Sequence, residues 1–168
     1  MTAGSLAMNI VRLYQSPEHI YKGHKGMPAG TVPMTEVPRI RLLAGRGVEG
    51  DRYSKLEGAK GQVTFFAEET WLRLRDALGV MDRGSDVFRR NIIVRGTDLN
   101  GLIGRDFEVQ GVRFHGVEHC KPCFWMEQAF SPGTYALLAE WRAGGLRASV
   151  LTDGWLALGG TEAEQCSA

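Results

Sequence analysis

Glycine is what most constrains the fold of this chain. Twenty-two glycines break the apolar residues into short runs, and so many turn formers imply many tight connections between short strands. Met8 to Tyr14 (MNIVRLY) alternates as a first strand, and Arg39 to Ala44 (RIRLLA) and Gln62 to Phe66 (QVTFF) read as the second and third. Ile92-Ile93-Val94 forms a strongly apolar strand. Phe107 to Val109 and Val112 to Val117 form a hairpin, with Gln110-Gly111 in its turn. Arg147 to Thr152 and Trp155 to Leu158 are two last strands, joined by the hairpin signal Asp153-Gly154.

Helical periodicity shows in two places. Ala67 to Gly79 puts Trp71, Leu72, Leu74, Ala77 and Leu78 on one apolar face, with Glu68 and Glu69 in the first turn and Gly79 at the end. Ser131-Pro132 is a helix start, followed by Tyr135, Leu137, Leu138 and Trp141 and closed by Gly144-Gly145. About eight short strands with helices between few of them argue against a doubly wound sheet. The expected fold is mostly β: a barrel of short, largely antiparallel strands with two or more peripheral helices.

The 168 residues fit one domain, with a core over about 8–160 and a loose tail over 161–168. A formal charge of +1 and a pI near 7.8 give no global pull toward nucleic acid or a membrane surface. Met1 to Met8 lacks the pattern of a signal peptide, and no apolar run approaches a membrane span. An odd count of three cysteines does not suggest a disulfide-stapled scaffold. The expected location is cytoplasmic.

Several stretches bear on chemistry. Gln15 to Pro38 is a long loop carrying His19, Lys22, His24 and Lys25. Such loops are often functional, and the lysines are within reach of an anion. Gly45 to Gly50 has the spacing G-x-G-x-x-G. The dinucleotide fingerprint also needs a helix to follow, and Asp51 to Gly58 has no helical period. Arg89-Arg90-Asn91, at the entrance to an apolar strand, is rich in donors; it suits an oxyanion such as phosphate, or a solvated charged turn.

Glu118-His119-Cys120-Lys121-Pro122-Cys123-Phe124-Trp125 follows the second arm of the hairpin. The C-x-x-C spacing is that of a dithiol redox motif, although the flanking hairpin is the wrong context for one. With His115 or His119 it also makes half of a zinc site. Two buried, inert cysteines are the third reading. The residues alone leave all three open.

Taken together, these motifs resemble the MOSC domain, named from the molybdenum cofactor sulfurase C-terminus. The resemblance is carried by Gly47 to Tyr53, Gln62-Val63-Thr64 with Glu68, Arg89-Arg90-Asn91-Ile92, Thr97-Asp98-Leu99 and Leu102-Ile103-Gly104. It continues through Glu118 with Pro122-Cys123 and Gly144 to Ala148. It covers most of the chain and looks like the stand-alone bacterial type.

What the resemblance implies is a β-barrel holding molybdenum on molybdopterin. Cys123 stands at the position of the metal-ligating or sulfur-carrying thiol. Arg89 and Asn91 stand where cofactor-anchoring residues would be, with Arg52 and Arg147 adding positive charge. Asp51 and Glu118 are expected to orient backbone or arginine. Cys120 is an extra thiol, a candidate resolving partner for Cys123, and Gly159-Gly160 replaces the usual closing Gly-Asp.

Two functions follow from the resemblance. The first is reduction of N-hydroxylated small molecules at a Cys123-ligated molybdenum, with electrons from an external reductase. The second is sulfur carriage, with a persulfide on Cys123 that arrives from a donor protein and is delivered to a metal-sulfur centre. A barrel that merely binds a partner is a third.

Overall fold

A computed structural model describes residues 8–20 and 32–160. The tail beyond residue 160, with Cys166, and the loop residues Lys22, His24 and Lys25 lie outside the described residues. The chain order is β1 (Asn9–Gln15), β2 (Thr35–Glu36), β3 (Arg39–Leu43), β4 (Gly47–Val48), β5 (Val63–Ala67), α1 (Glu68–Leu78) and β6 (Ile92–Arg95). It continues with β7 (Asp106–Val109), β8 (Val112–His119), α2 (Trp125–Ala129), α3 (Thr134–Trp141), β9 (Leu146–Val150) and β10 (Gly154–Ala157).

The expectation of a mostly β fold holds, but the strands do not close into one ring. They form a seven-stranded sheet, β2-β1-β6-β5-β9-β8-β7, and a three-stranded sheet, β10-β3-β4. A bridge between Ile10 and Gly159 ties the sheets together. All pairs are antiparallel except β5 and β6. That parallel pair needs a crossover, and α1 supplies it.

β5 and β6 are continuous apolar runs rather than alternating ones because both of their faces are covered. Phe65, Ile92 and Val94 point into a core shared with β3, β8, β9 and β10. Their neighbours Phe66 and Ile93 point the other way, into a second core capped by Trp71 and Leu74 of α1, Met126 of α2 and Leu138 of α3. Period-two alternation thus feeds two hydrophobic layers at once. In the first layer Phe65 packs edge-on against Phe107 and Phe114, with ring centroids 5.7 and 5.4 Å away.

Three expectations are corrected. Asp153-Gly154 does not make a hairpin: β9 pairs with β5 and β8, whereas β10 pairs with β3. The chain crosses between sheets there, and Asp153 Oδ1 accepts a hydrogen bond from Ala44 N at 2.7 Å. α3 starts at Thr134, beyond Ser131-Pro132, because the Glu127 carboxylate accepts from the N–H groups of Gly133 and Tyr135. Its end is set by Arg142 in the left-handed region (φ 50°) rather than by Gly144-Gly145.

Candidate functional site

The site lies where β8 runs out. A bulge between Gly116 and Glu118 shifts the β8–β9 register, leaving Glu118 opposite Arg147 and His119 opposite Leu146. Glu118 uses that cross-strand position to accept from Arg147 Nη1 at 3.2 Å, and it pairs with Lys60 Nζ at 3.0 Å. The hydrogen bond from Lys60, then the charges of Lys60 and Arg147, hold its carboxyl below the usual glutamate value.

After His119 the chain leaves the sheet but stays pinned to it. Cys120 N donates to Gly145 O at 2.8 Å. A Cβ on Gly144 would stand 2.1 Å from the Cys120 carbonyl oxygen, so the close approach requires glycine there. Cys120 is buried and Cys123 half-buried, both as free thiols. Cys123 packs at the edge of the second core and is followed directly by α2.

Cys123 lines a cavity of about 160 Å³ together with His19, Ile20, Tyr53 and five cationic side chains, Arg52, Arg89, Arg90, Lys121 and Arg147. No carboxylate lines it among the described residues. Residues from distant parts of the sequence therefore place positive charge around one thiol.

Each cation is held differently. Arg52 is buried; its Nη1 bonds Asp51 Oδ1 at 3.1 Å, its Nη2 donates to Arg89 O at 2.7 Å, and its guanidinium lies 4.7 Å from the Tyr53 ring centroid. Asp51 in turn accepts from the N–H groups of Ser16 and Tyr53. Arg89, also buried and in the left-handed region at φ 55°, donates to Ser16 Oγ, Glu18 O and Val32 O. Arg90 donates to Gly144 O at 3.0 Å and to Phe88 O at 3.1 Å. Lys121 is exposed, with no hydrogen-bond or ion-pair partner among the described residues.

Asn91 does not line the cavity. It is fully buried; its Oδ1 accepts from Thr64 N and Thr64 Oγ1, and its Nδ2 donates to Tyr14 O. It fastens β5 and β1 to the turn that presents Arg89 and Arg90. Cys120 likewise lies outside the cavity lining. Of the residues singled out from the sequence, Cys123, Arg52, Arg89 and Arg147 come together; Asn91 and Cys120 stand behind them. His19, Tyr53, Arg90 and Lys121 join the lining; their signals in the sequence are, in turn, the Gln15 to Pro38 loop, the Gly47 to Tyr53 stretch, the donor-rich Arg89-Arg90-Asn91 run and the lysine between the two cysteines.

A second cavity, of about 180 Å³, is lined by Glu118, His119, Lys121 and Arg147, so the two cavities share Lys121 and Arg147. His119 Nδ1 lies 3.1 Å from Gly145 O. A carbonyl only accepts, so Nδ1 carries the proton and Nε2 is the acceptor of the neutral ring. Burial first, then the charges of Arg142 and Arg90, hold His119 below the ordinary histidine value.

The model of the MOSC domain matches residues 52–161, which includes Arg52, Arg89, Cys123 and Arg147. The chain belongs to the MOSC domain family. No curated protein matches it by sequence. Solved structures share its fold. YuaD from Bacillus subtilis has a TM-score of 0.65 at 14% identity, covering 92% of this chain and 93% of its own. YiiM from Geobacillus stearothermophilus has a TM-score of 0.65 at 14% identity, covering 91% and 72%. A hypothetical protein has a TM-score of 0.67 at 15% identity; the match covers 92% of this MOSC chain and 66% of that one. Among the described residues, no helix is long and apolar enough to cross a membrane.

The MOSC family implies a molybdenum–pterin cofactor, and the residues present fit one. No group of three or more His, Cys, Asp or Glu among the described residues could hold a metal ion. A metal here would therefore arrive with its own ligands and take one thiolate. Cys123 supplies a sulfur for that bond, and a phosphate-bearing group matches the surrounding guanidinium and ammonium groups.

Proposed function

We propose that this MOSC protein binds a molybdopterin-type cofactor in the Cys123 cavity and reduces N-hydroxylated small molecules there, with electrons from a separate reductase. One observation carries the reading: a half-buried thiol shares one cavity with Arg52, Arg89, Arg90, Lys121 and Arg147 and, among the described residues, no carboxylate. In this reading Cys123 is the metal ligand. Arg89 and Arg52, fixed by backbone carbonyls and by Asp51, form the rigid anion-holding wall. Lys121 and Arg90 supply further donors to a phosphate. Asn91 acts by positioning the turn that carries both arginines. Bound molybdenum supplies two-electron chemistry, and the arginine wall lowers the cost of holding an anionic group away from bulk water.

The sulfur-carrier reading uses the same thiol, with a persulfide on Cys123 stabilised by the same cations. The burial of Cys120 sets it back from that role, because a resolving thiol must reach the sulfur it discharges.

The test is molybdenum and pterin content of protein purified from a host that makes the cofactor, for wild type, Cys123→Ser and Lys121→Ala. Near-stoichiometric molybdenum in the wild type, loss in Cys123→Ser and partial loss in Lys121→Ala are expected. Wild-type protein free of both molybdenum and pterin, with labile sulfur on Cys123, would support the carrier instead.

A further inference from the structure

A further cavity, of about 160 Å³, shares no lining residue with the two already described. It lies between the loop that follows β6 and the end of α3. The loop supplies Thr97, Asp98, Leu99 and Asn100, and the helix end supplies Trp141 and Arg142. Asn100 Nδ2 donates to Arg142 O at 2.9 Å, which ties these two walls together. The Arg73 guanidinium lies over the Trp141 ring, 3.7 Å from its centroid, and steadies it.

Two opposite charges line this cavity without joining. The Asp98 carboxylate accepts only from Gly101 N, through Oδ1 at 3.3 Å. The Arg142 guanidinium has no hydrogen-bond or ion-pair partner among the described residues, Asp98 included. Asn100 spends its Nδ2 on Arg142 O and leaves Oδ1 unused. Thr97 Oγ1 is buried and has no partner. A buried hydroxyl left unpaired is costly, and a bound group that pairs with it removes the cost. The open inventory is thus a guanidinium, a hydroxyl, a carboxylate and an amide oxygen. A small molecule that carries a carboxylate and an ammonium on neighbouring atoms is its complement.

We propose that this cavity is a binding site for a small α-amino acid. Arg142 and Thr97 donate to its carboxylate, and its ammonium donates to Asp98 and to Asn100 Oδ1. Leu99 and Trp141 give its side chain an apolar wall. Gly145 also lines the cavity, and its carbonyl accepts from Cys120 N at 2.8 Å. The Gly145 amide therefore reports on the ligand from the segment that anchors the cysteines.

The test is a titration of the full-length protein with L-alanine, propionate and ethylamine, followed by amide ¹H–¹⁵N shifts. L-Alanine carries both charges and each of the others only one. Saturable shifts over 97–100 and at Gly145 are expected with L-alanine. Propionate and ethylamine should bind at least about tenfold more weakly, the size of one lost charge-assisted hydrogen bond. Asp98→Asn keeps an oxygen for Gly101 N, and Arg142→Gln alters an exposed side chain. Both variants should stay folded and lose about tenfold or more in L-alanine affinity. Thr97→Val replaces an unpaired hydroxyl with a methyl, so its stability should match or exceed that of wild type while affinity falls severalfold. A hydroxyl needed only for folding would show the reverse. No saturable shift with L-alanine in natively folded wild type, equal binding of the three probes, or wild-type affinity in any of the three variants would each overturn the site.

Discussion

Arg52 donates through Nη2 to the backbone carbonyl of Arg89 at 2.7 Å, so one arginine of the cavity sets the position of the other. The arrangement depends on Asp51, a buried carboxylate that neutralises Arg52 and caps two backbone N–H groups. Asp51→Ala would leave a buried guanidinium without its counter-charge and two donors unsatisfied. Such a change costs about 3–5 kcal/mol. Urea denaturation should show it, with Asp51→Asn losing less because an oxygen acceptor survives. A variant Asp51→Ala as stable as wild type would show that Asp51 does not organise the wall.

Much of the scaffold was legible in the sequence because its signals are local. The Gln110-Gly111 turn between β7 and β8 has both residues at positive φ, 50° and 82°, which matches the two-residue hairpin read there. Glu68, Glu69 and Gly79 bracket α1 as its sequence indicates. What could not be read was partnership over distance. Asp153-Gly154 has the chemistry of a hairpin turn, yet β10 finds β3 instead, and nothing within a few residues of the turn encodes that choice. The start of α3 is set by Glu127 from the preceding helix. Arg52, Arg89 and Arg147 are far apart in sequence and become neighbours of Cys123 only through sheet topology; the donor-rich Arg89-Arg90-Asn91 run pointed to Arg89, and the family resemblance to Arg52 and Arg147.

His119 gives the fold a defined response to acid. Its proton affinity is lowered by burial and by Arg142 and Arg90, and Lys121 and Arg147 line the same cavity. The nearby carboxylate, Glu118, is engaged by Lys60 and Arg147. The unfolded chain, with the ordinary value of 6.5, binds a proton more readily than the folded one. The stability linked to neutral His119 is therefore present above 6.5 and is lost as pH falls through the lowered folded value. Thermal midpoints recorded between about pH 7.5 and pH 5 should fall further for wild type than for His119→Asn. Parallel curves would remove His119 from the acid response.

Gly144 and Gly145 fix the cysteine segment against β5 by leaving no room for a side chain. A Cβ on Gly145 would stand 2.3 Å from the Phe65 carbonyl oxygen, in a residue with φ of 106°. On Gly144 it would meet the Cys120 carbonyl oxygen at 2.1 Å. Backbone atoms cannot rotate aside as a side-chain tip can. Gly144→Ala should cost at least about 2–3 kcal/mol and displace the segment carrying Cys123. Gly96→Ala is the control: φ is 74° but nothing lies within 4 Å, so only the left-handed penalty of about 1–2 kcal/mol applies. Equal losses in the two variants, measured by denaturation, would mean that the close approach at Cys120 contributes nothing.

The two thiols of the C-x-x-C stretch should behave as different kinds of residue. Cys123 is half-buried and lines the cationic cavity, whereas Cys120 is 2% exposed and does not. In a Cys166→Ser background, one thiol should react with Ellman's reagent in the native protein, and that reaction should vanish in Cys123→Ser. Cys120 should react only on unfolding, since a thiol without solvent access presents no nucleophile to the reagent. Cys120→Ala, which removes one buried sulfur and keeps the Cβ, is expected to lower stability by about 1 kcal/mol and to leave molybdenum content unchanged. If Cys120 labels as fast as Cys123 in the native state, the segment opens far enough for the two sulfurs to meet. The resolving role assigned to Cys120 by the sulfur-carrier reading would then regain its physical basis.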